Sequence, residues 1–121
     1  MNNHVHSSRY LDFVLFARFD QMGRCYGMPM EEFMKRGWNW YQKVFHIEFK
    51  RPITLAERII VRTWLECFAK SDVKVGFQIL KKENLKAAAE GHFISTMVNL
   101  QTGRAEPIPD WIIQQYTQYT E

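Results

Sequence analysis

The chain has 121 residues, enough for one domain with a substantial core and too few for two comfortable ones. Hydrophobic residues make up 46% and aromatics 15%, which argues against a disordered chain, and a net charge of +3 from scattered basic residues argues against a nucleic-acid-binding protein. No stretch approaches the roughly 18 continuous apolar residues of a membrane span, and the opening MNNHVHSS has no apolar run.

The segment from Leu11 to Met22 organises the rest. Leu11, Phe13, Val14, Leu15, Phe16, Ala17, Phe19 and Met22 are apolar almost all the way round a helix, broken only by Asp12, Arg18, Asp20 and Gln21. A surface helix shows one apolar stripe, so this one is expected to be wrapped. Ser7 and Ser8 are good N-cap residues just after His4 and His6. Two imidazoles therefore stand beside the free N–H groups of a helix start, a place suited to an oxyanion. The helix should weaken at Gly23 and stop by Gly27. A short second helix follows, with Pro29 early, Glu31 and Glu32 in its first turn, Lys35 and Arg36 in its last, and Gly37 beyond.

From Trp38 onward the period is two. Tyr41, Phe45, Ile47 and Phe49 are apolar at odd positions, with Lys43 the exception, and Pro52 ends this strand. A second strand is expected from Arg58 to Ala69, with Ile59, Val61, Thr63, Leu65 and Cys67 on one face. A third starts at Val73 and alternates through Val75, Phe77 and Ile79; a fourth runs from about Leu85 to Leu100. Its small residues Ala87, Ala88, Ala89, Gly91 and Ser95 suit close approach by a helix or a second subunit. Lys81, Lys82 and Lys86 fit a solvated hairpin end, and Pro109 to Tyr119 could form a terminal helix. Short turns make the strands antiparallel neighbours. The expected architecture is α+β, one domain over residues 1–121, with a four-stranded antiparallel sheet wrapped around a long buried helix. One such sheet cannot enclose a helix, so a homodimer or homotetramer is expected to cover the remainder.

This pattern resembles the hotdog fold, and the helix entrance resembles that of the hotdog thioesterases, the 4-hydroxybenzoyl-CoA thioesterase-like enzymes of acyl-CoA and acyl-carrier-protein thioesters. His4, Val5, Ser7, Ser8 and Tyr10 fit the signature, Ala17-Arg18 resembles its later Ala-Arg, and Asn2-Asn3-His4-Val5 resembles all but the first residue of Asp-x-Asn-x-His-Val. The Asp would fall one position before Met1, and the first of the usual five strands before that; either these lie upstream or this member works without them. Where many relatives place a Glu in the helix, this chain has Leu15.

The resemblance implies hydrolysis of an acyl-CoA or acyl-carrier-protein thioester, with Asn2 and His4 orienting substrate or water or sharing the base role, and the backbone N–H of Ser7 polarising the carbonyl. His6, His46 and His92 read as structural, and Lys50 and Arg51 as a solvated strand end. Four histidines without an i, i+4 pair, and Cys25 and Cys67 without a CxxC, suggest no metal and no cofactor. Two thiols fit a reducing, cytoplasmic setting. The alternative, favoured by the missing Asp, is an acyl-binding or assembly protein without catalysis.

Overall fold

The computed structural model describes residues 9–117. The elements run α1 (Arg9–Arg24), α2 (Met30–Lys35), β1 (Trp38–Phe49), β2 (Ile59–Ala69), β3 (Asp72–Lys81), β4 (Ala87–Asn99) and α3 (Asp110–Thr117). The four strands form one antiparallel sheet in the order β1-β4-β3-β2. The end of α1 and both ends of α2 fall where their punctuation places them, and the Ser7 and Ser8 caps expected for α1 lie outside the described residues. Gly27, at φ 69°, turns the chain out of α1, and Pro29, with its fixed φ, stands at the N-terminal boundary of α2 without a side-chain cap.

The strand period holds in β3, where Val73, Val75, Phe77 and Ile79 all face the core. In the edge strands it is corrected by bulges. The β1–β4 register shifts between Gln42 and Val44, so Lys43 is an extra residue and the inward parity changes there. Trp38, Trp40 and Gln42 face in before the bulge, Phe45 and Ile47 after it, and Tyr41 points out with 65% of its surface exposed. The same happens between Leu65 and Cys67 in β2: Cys67 is exposed, and Phe68 packs inward instead. The fourth strand also starts later than expected. Leu85 sits in the preceding turn at φ 61°, its N–H bonded to the Lys81 carbonyl at 2.7 Å.

The small residues of β4 are explained by its neighbour strand. A Cβ on Gly91 would collide with the backbone carbonyl of His46 on β1, while Ala88 and Ala89 are fully buried.

As expected of a single sheet, β1–β4 cover only part of α1. Within this chain it is buried along one stripe, Tyr10, Val14, Arg18 and Met22, at the i, i+4 spacing of an ordinary amphipathic helix. Phe16 on the opposite side is 78% exposed, and Phe19 is partly so. The charged residue at the stripe's centre, Arg18, read from sequence as a polar interruption, is 4% exposed.

Candidate active site

The front of α1 is fixed by Tyr10. Its ring packs edge-on against Phe49 at the end of β1, with centroids 5.0 Å apart, and against Phe13 at 6.0 Å. Burial pushes the Tyr10 phenol above its usual value, opposed by a hydrogen bond from the Ile53 backbone. The start of the helix is thereby seated over the far end of β1 and the connector to β2. The residues the sequence points to for chemistry, Asn2, His4 and Ser7, together with His6 and Ser8, lie outside the described residues.

Among the described residues, the carboxylate that interacts with Tyr10 is Glu57, and it is already engaged. The Thr54 backbone N–H donates to it at 2.9 Å, the Thr54 hydroxyl at 3.3 Å, and Lys81 pairs with it at 3.3 Å. The Thr54 N–H foremost, and then Lys81, hold its pKa below the usual carboxylate value, which makes it a poor base. Glu57 closes the connector loop.

Behind the helix entrance, between α1 and the inner face of the sheet, lies a cleft with about 430 Å³ of empty space counted to its open mouth. Most of that space belongs to the mouth, and between its walls the cleft is a narrow slit. Leu15, Phe19 and Met22 form one wall, Val73, Val75 and Phe93 the other, and Ile112 and Tyr116 of α3 close one side. On the idealised helix rise, Leu15 lies about 9 Å and Met22 about 20 Å along the axis from Arg9. The closed part of the slit is far smaller than a ligand pocket, so a chain lying in it needs α1 and the sheet to part.

α3 is tied across this end of the molecule. Gln115 Nε2 donates to the Tyr26 carbonyl at 2.7 Å, and the Tyr116 hydroxyl to the Met28 carbonyl at 3.0 Å. Burial pushes the Tyr116 phenol far up, with the adjacent Arg18 charge opposing.

Besides Ser95 and Tyr116, three polar side chains line the slit; the sequence did not mark Arg18 or Gln42 for it, whereas Trp40 stands among the aromatics suited to line a pocket. Arg18 lines it, and so do Trp40 and Gln42. Trp40 Nε1 and Gln42 Oε1 are buried without a hydrogen-bond partner among the described residues. The advance signals were an Arg inside an apolar helix and the aromatic character of Trp40, and the bulge after Gln42 hid the inward parity of Gln42.

The basic residues weighed for phosphate contact are otherwise occupied. Arg51 donates to the Ala87 carbonyl at 2.7 Å, and Lys50 pairs with Glu48 at 3.2 Å. His46 and His92 are directly opposite on β1 and β4 and stack with centroids 5.3 Å apart, on the outer face of the sheet away from the slit. No group of three metal-ligating side chains occurs among the described residues, and no helix is long and apolar enough to cross a membrane.

No curated protein matches the sequence. Among solved structures the chain is similar to a DHNA-CoA thioesterase from Staphylococcus aureus, at 20% identity and TM-score 0.83 over 96% of this chain and 78% of that one. It is also similar to a probable thioesterase from Escherichia coli, at 17% identity and TM-score 0.82 over 98% of this chain and 88% of that one. A third similar structure is a thioesterase from Thermus thermophilus complexed with coenzyme A and zinc, at 19% identity and TM-score 0.79 over 97% of this chain and 81% of that one. At these identities the likeness establishes the fold, which is the hotdog arrangement. A family model for the thioesterase-like superfamily matches residues 1–116, and the chain therefore belongs to that superfamily.

Proposed function

We propose that this single hotdog domain hydrolyses acyl thioesters of coenzyme A, or of acyl carrier protein, to free acid and thiol. The observation that carries the proposal is the apolar slit running beneath α1 in a chain of this superfamily. The superfamily match supports a thioester as substrate, and the likeness to a thioesterase solved with coenzyme A supports that carrier.

In the proposed reaction the thioester carbonyl lies at the front of α1, where the Ser7 backbone N–H and the helix dipole stabilise the developing oxyanion. Asn2 and His4 orient the attacking water or share its proton. The water oxygen bonds to the carbonyl carbon, the C–S bond breaks, and the proton released from water ends on the departing thiol. The acyl chain lies in the slit.

We further propose a cytoplasmic setting and a homodimer or homotetramer. The exposed Phe16 and Phe19 on α1, with Tyr41 and Val44 on the edge strand β1, supply apolar surface for a second copy.

A second reading, acyl binding without cleavage, is favoured by one observation: Glu57, the described carboxylate beside Tyr10, is saturated by Thr54 and Lys81. Thiol release from dodecanoyl-CoA decides between them. Hydrolysis is expected, with His4→Ala lowering kcat by about a hundredfold or more. An unchanged rate in His4→Ala removes the role given to His4, and tight binding of dodecanoyl-CoA without thiol release establishes the second reading instead.

A further inference from the structure

The slit carries a charge that no carboxylate among the described residues answers. Arg18 is 4% exposed, and no carboxylate among the described residues lies within ion-pair distance of it. Its Nη1 donates to Gln21 Oε1 at 2.9 Å and to the Tyr26 hydroxyl at 3.2 Å. Its guanidinium stands 5.1 Å from the Tyr26 ring centroid and 6.0 Å from that of Tyr116. Nε and Nη2 have no hydrogen-bond partner among the described residues. Two aromatic faces return only part of what it costs to take a guanidinium out of water.

A second, independent observation points the same way. Trp40 Nε1–H, a donor only, is buried and unpartnered in the same slit. Gln42, which donates from Nε2 to Ser95 Oγ at 2.8 Å, leaves the other end of its amide unpaired. Turned over, that amide would present its N–H₂ to the slit while its oxygen accepted from the Ser95 hydroxyl. Buried polar groups are seldom left open without a ligand to meet them.

From these observations we infer that the deep part of the slit is a carboxylate subsite, in which Arg18 and Trp40 receive the far end of an extended chain. The preferred acyl group is then the half-thioester of an unbranched aliphatic dicarboxylic acid. This rests on the reading that the slit holds the acyl part of a thioester substrate. The narrow bore admits an unbranched chain more readily than a ring. A carboxylate matches the free edge of the guanidinium with two parallel hydrogen bonds and leaves lone pairs for the indole N–H. The helix rise puts Arg18 about 14 Å along α1 from Arg9, and at about 3.5 Å per three bonds of extended chain this takes on the order of a dozen bonds.

Calorimetric titration of the purified protein with monomethyl dodecanedioate and with methyl dodecanoate tests the subsite without needing catalysis. The two ligands differ only in the terminal carboxylate. Wild type is expected to bind the monoester acid about tenfold or more tightly than the neutral ester. Arg18→Gln should bring the ratio close to one. Trp40→Phe, which keeps a ring and removes the N–H, should lower it severalfold, and it serves as the deciding variant if near-ultraviolet circular dichroism shows that Arg18→Gln does not fold. Equal affinities in wild type, or a ratio that survives in a folded Arg18→Gln, overturns the inference. Its failure is separable from that of the thioesterase reading: hydrolysis of dodecanoyl-CoA without carboxylate preference removes only the subsite, whereas carboxylate preference without hydrolysis of any acyl-CoA removes only the catalysis.

Discussion

The two faces of the sheet treat polar groups in opposite ways. On the outer face they are answered by neighbours. Lys43, the bulged residue of β1, reaches Asp72 on β3 at 3.0 Å, and the Thr96 hydroxyl donates to the same carboxylate at 2.6 Å. Lys74 pairs with Glu66 at 3.4 Å, and His46 meets Glu48 while stacking on His92. On the inner face Phe77, Ile79, Val75 and Met97 are fully buried; Trp40 Nε1 and Gln42 Oε1 have no hydrogen-bond partner among the described residues, and Arg18 has no described carboxylate to pair with. Exposed ion pairs contribute little to stability, whereas an unmet polar group in a dry cleft is costly. The difference marks the inner face as the one shaped for something other than folding.

Stability should divide along the same line. Phe77, fully buried and stacked on Phe45 with centroids 5.4 Å apart, is at the centre of the inner face. Phe77→Ala is expected to cost about 3–5 kcal/mol in urea denaturation, and a loss near that of an outer-face substitution would break the contrast. Gly91→Ala comes next, at about 1–3 kcal/mol, because the added methyl meets the backbone of His46, which cannot swing aside. Gly76→Ala should cost less, since it meets the side chains of Trp64 and Glu66, both exposed.

The smallest effect is electrostatic. The Thr96 hydroxyl first, and Lys43 after it, hold the Asp72 carboxyl below the usual aspartate value. A carboxylate with a depressed folded pKa adds stability above the unfolded value and loses it as pH falls through the folded one. Asp72→Asn should therefore leave stability almost unchanged in its dependence on pH above about 5 and flatten its fall below about pH 4. Acid titration of the unfolding midpoint reads this, and an unaltered acid limb would show that the Lys43–Asp72–Thr96 cluster carries nothing.

Much of the fold was legible because its signals are local. Pro29, Glu31, Glu32 and Lys35 mark α2, and the alternation from Val73 to Ile79 marks β3. The two bulges were not legible, because an extra residue at Lys43 or Glu66 leaves the composition of the strand unchanged and only reverses which parity faces in. That reversal concealed Gln42, and with it part of the polar lining of the slit. Arg18 was hidden for another reason: inside a helix pattern a charge reads as the solvent side, and only packing against Tyr26 and Tyr116 places it within. The stacked His46 and His92 are far apart in the chain and meet only through strand register. The candidate catalytic residues Asn2, His4 and Ser7 were named from a local motif, and their role stands as a proposal.

The most direct test is the dependence of kcat/KM on acyl length in thiol release from a series of saturated acyl-CoA thioesters. If the carbonyl is cleaved at the front of α1 with the chain lying in the slit, kcat/KM should rise with length to about 12 carbons and fall beyond it, as the slit fills. A profile that is flat with length, or highest for acetyl-CoA, would contradict it.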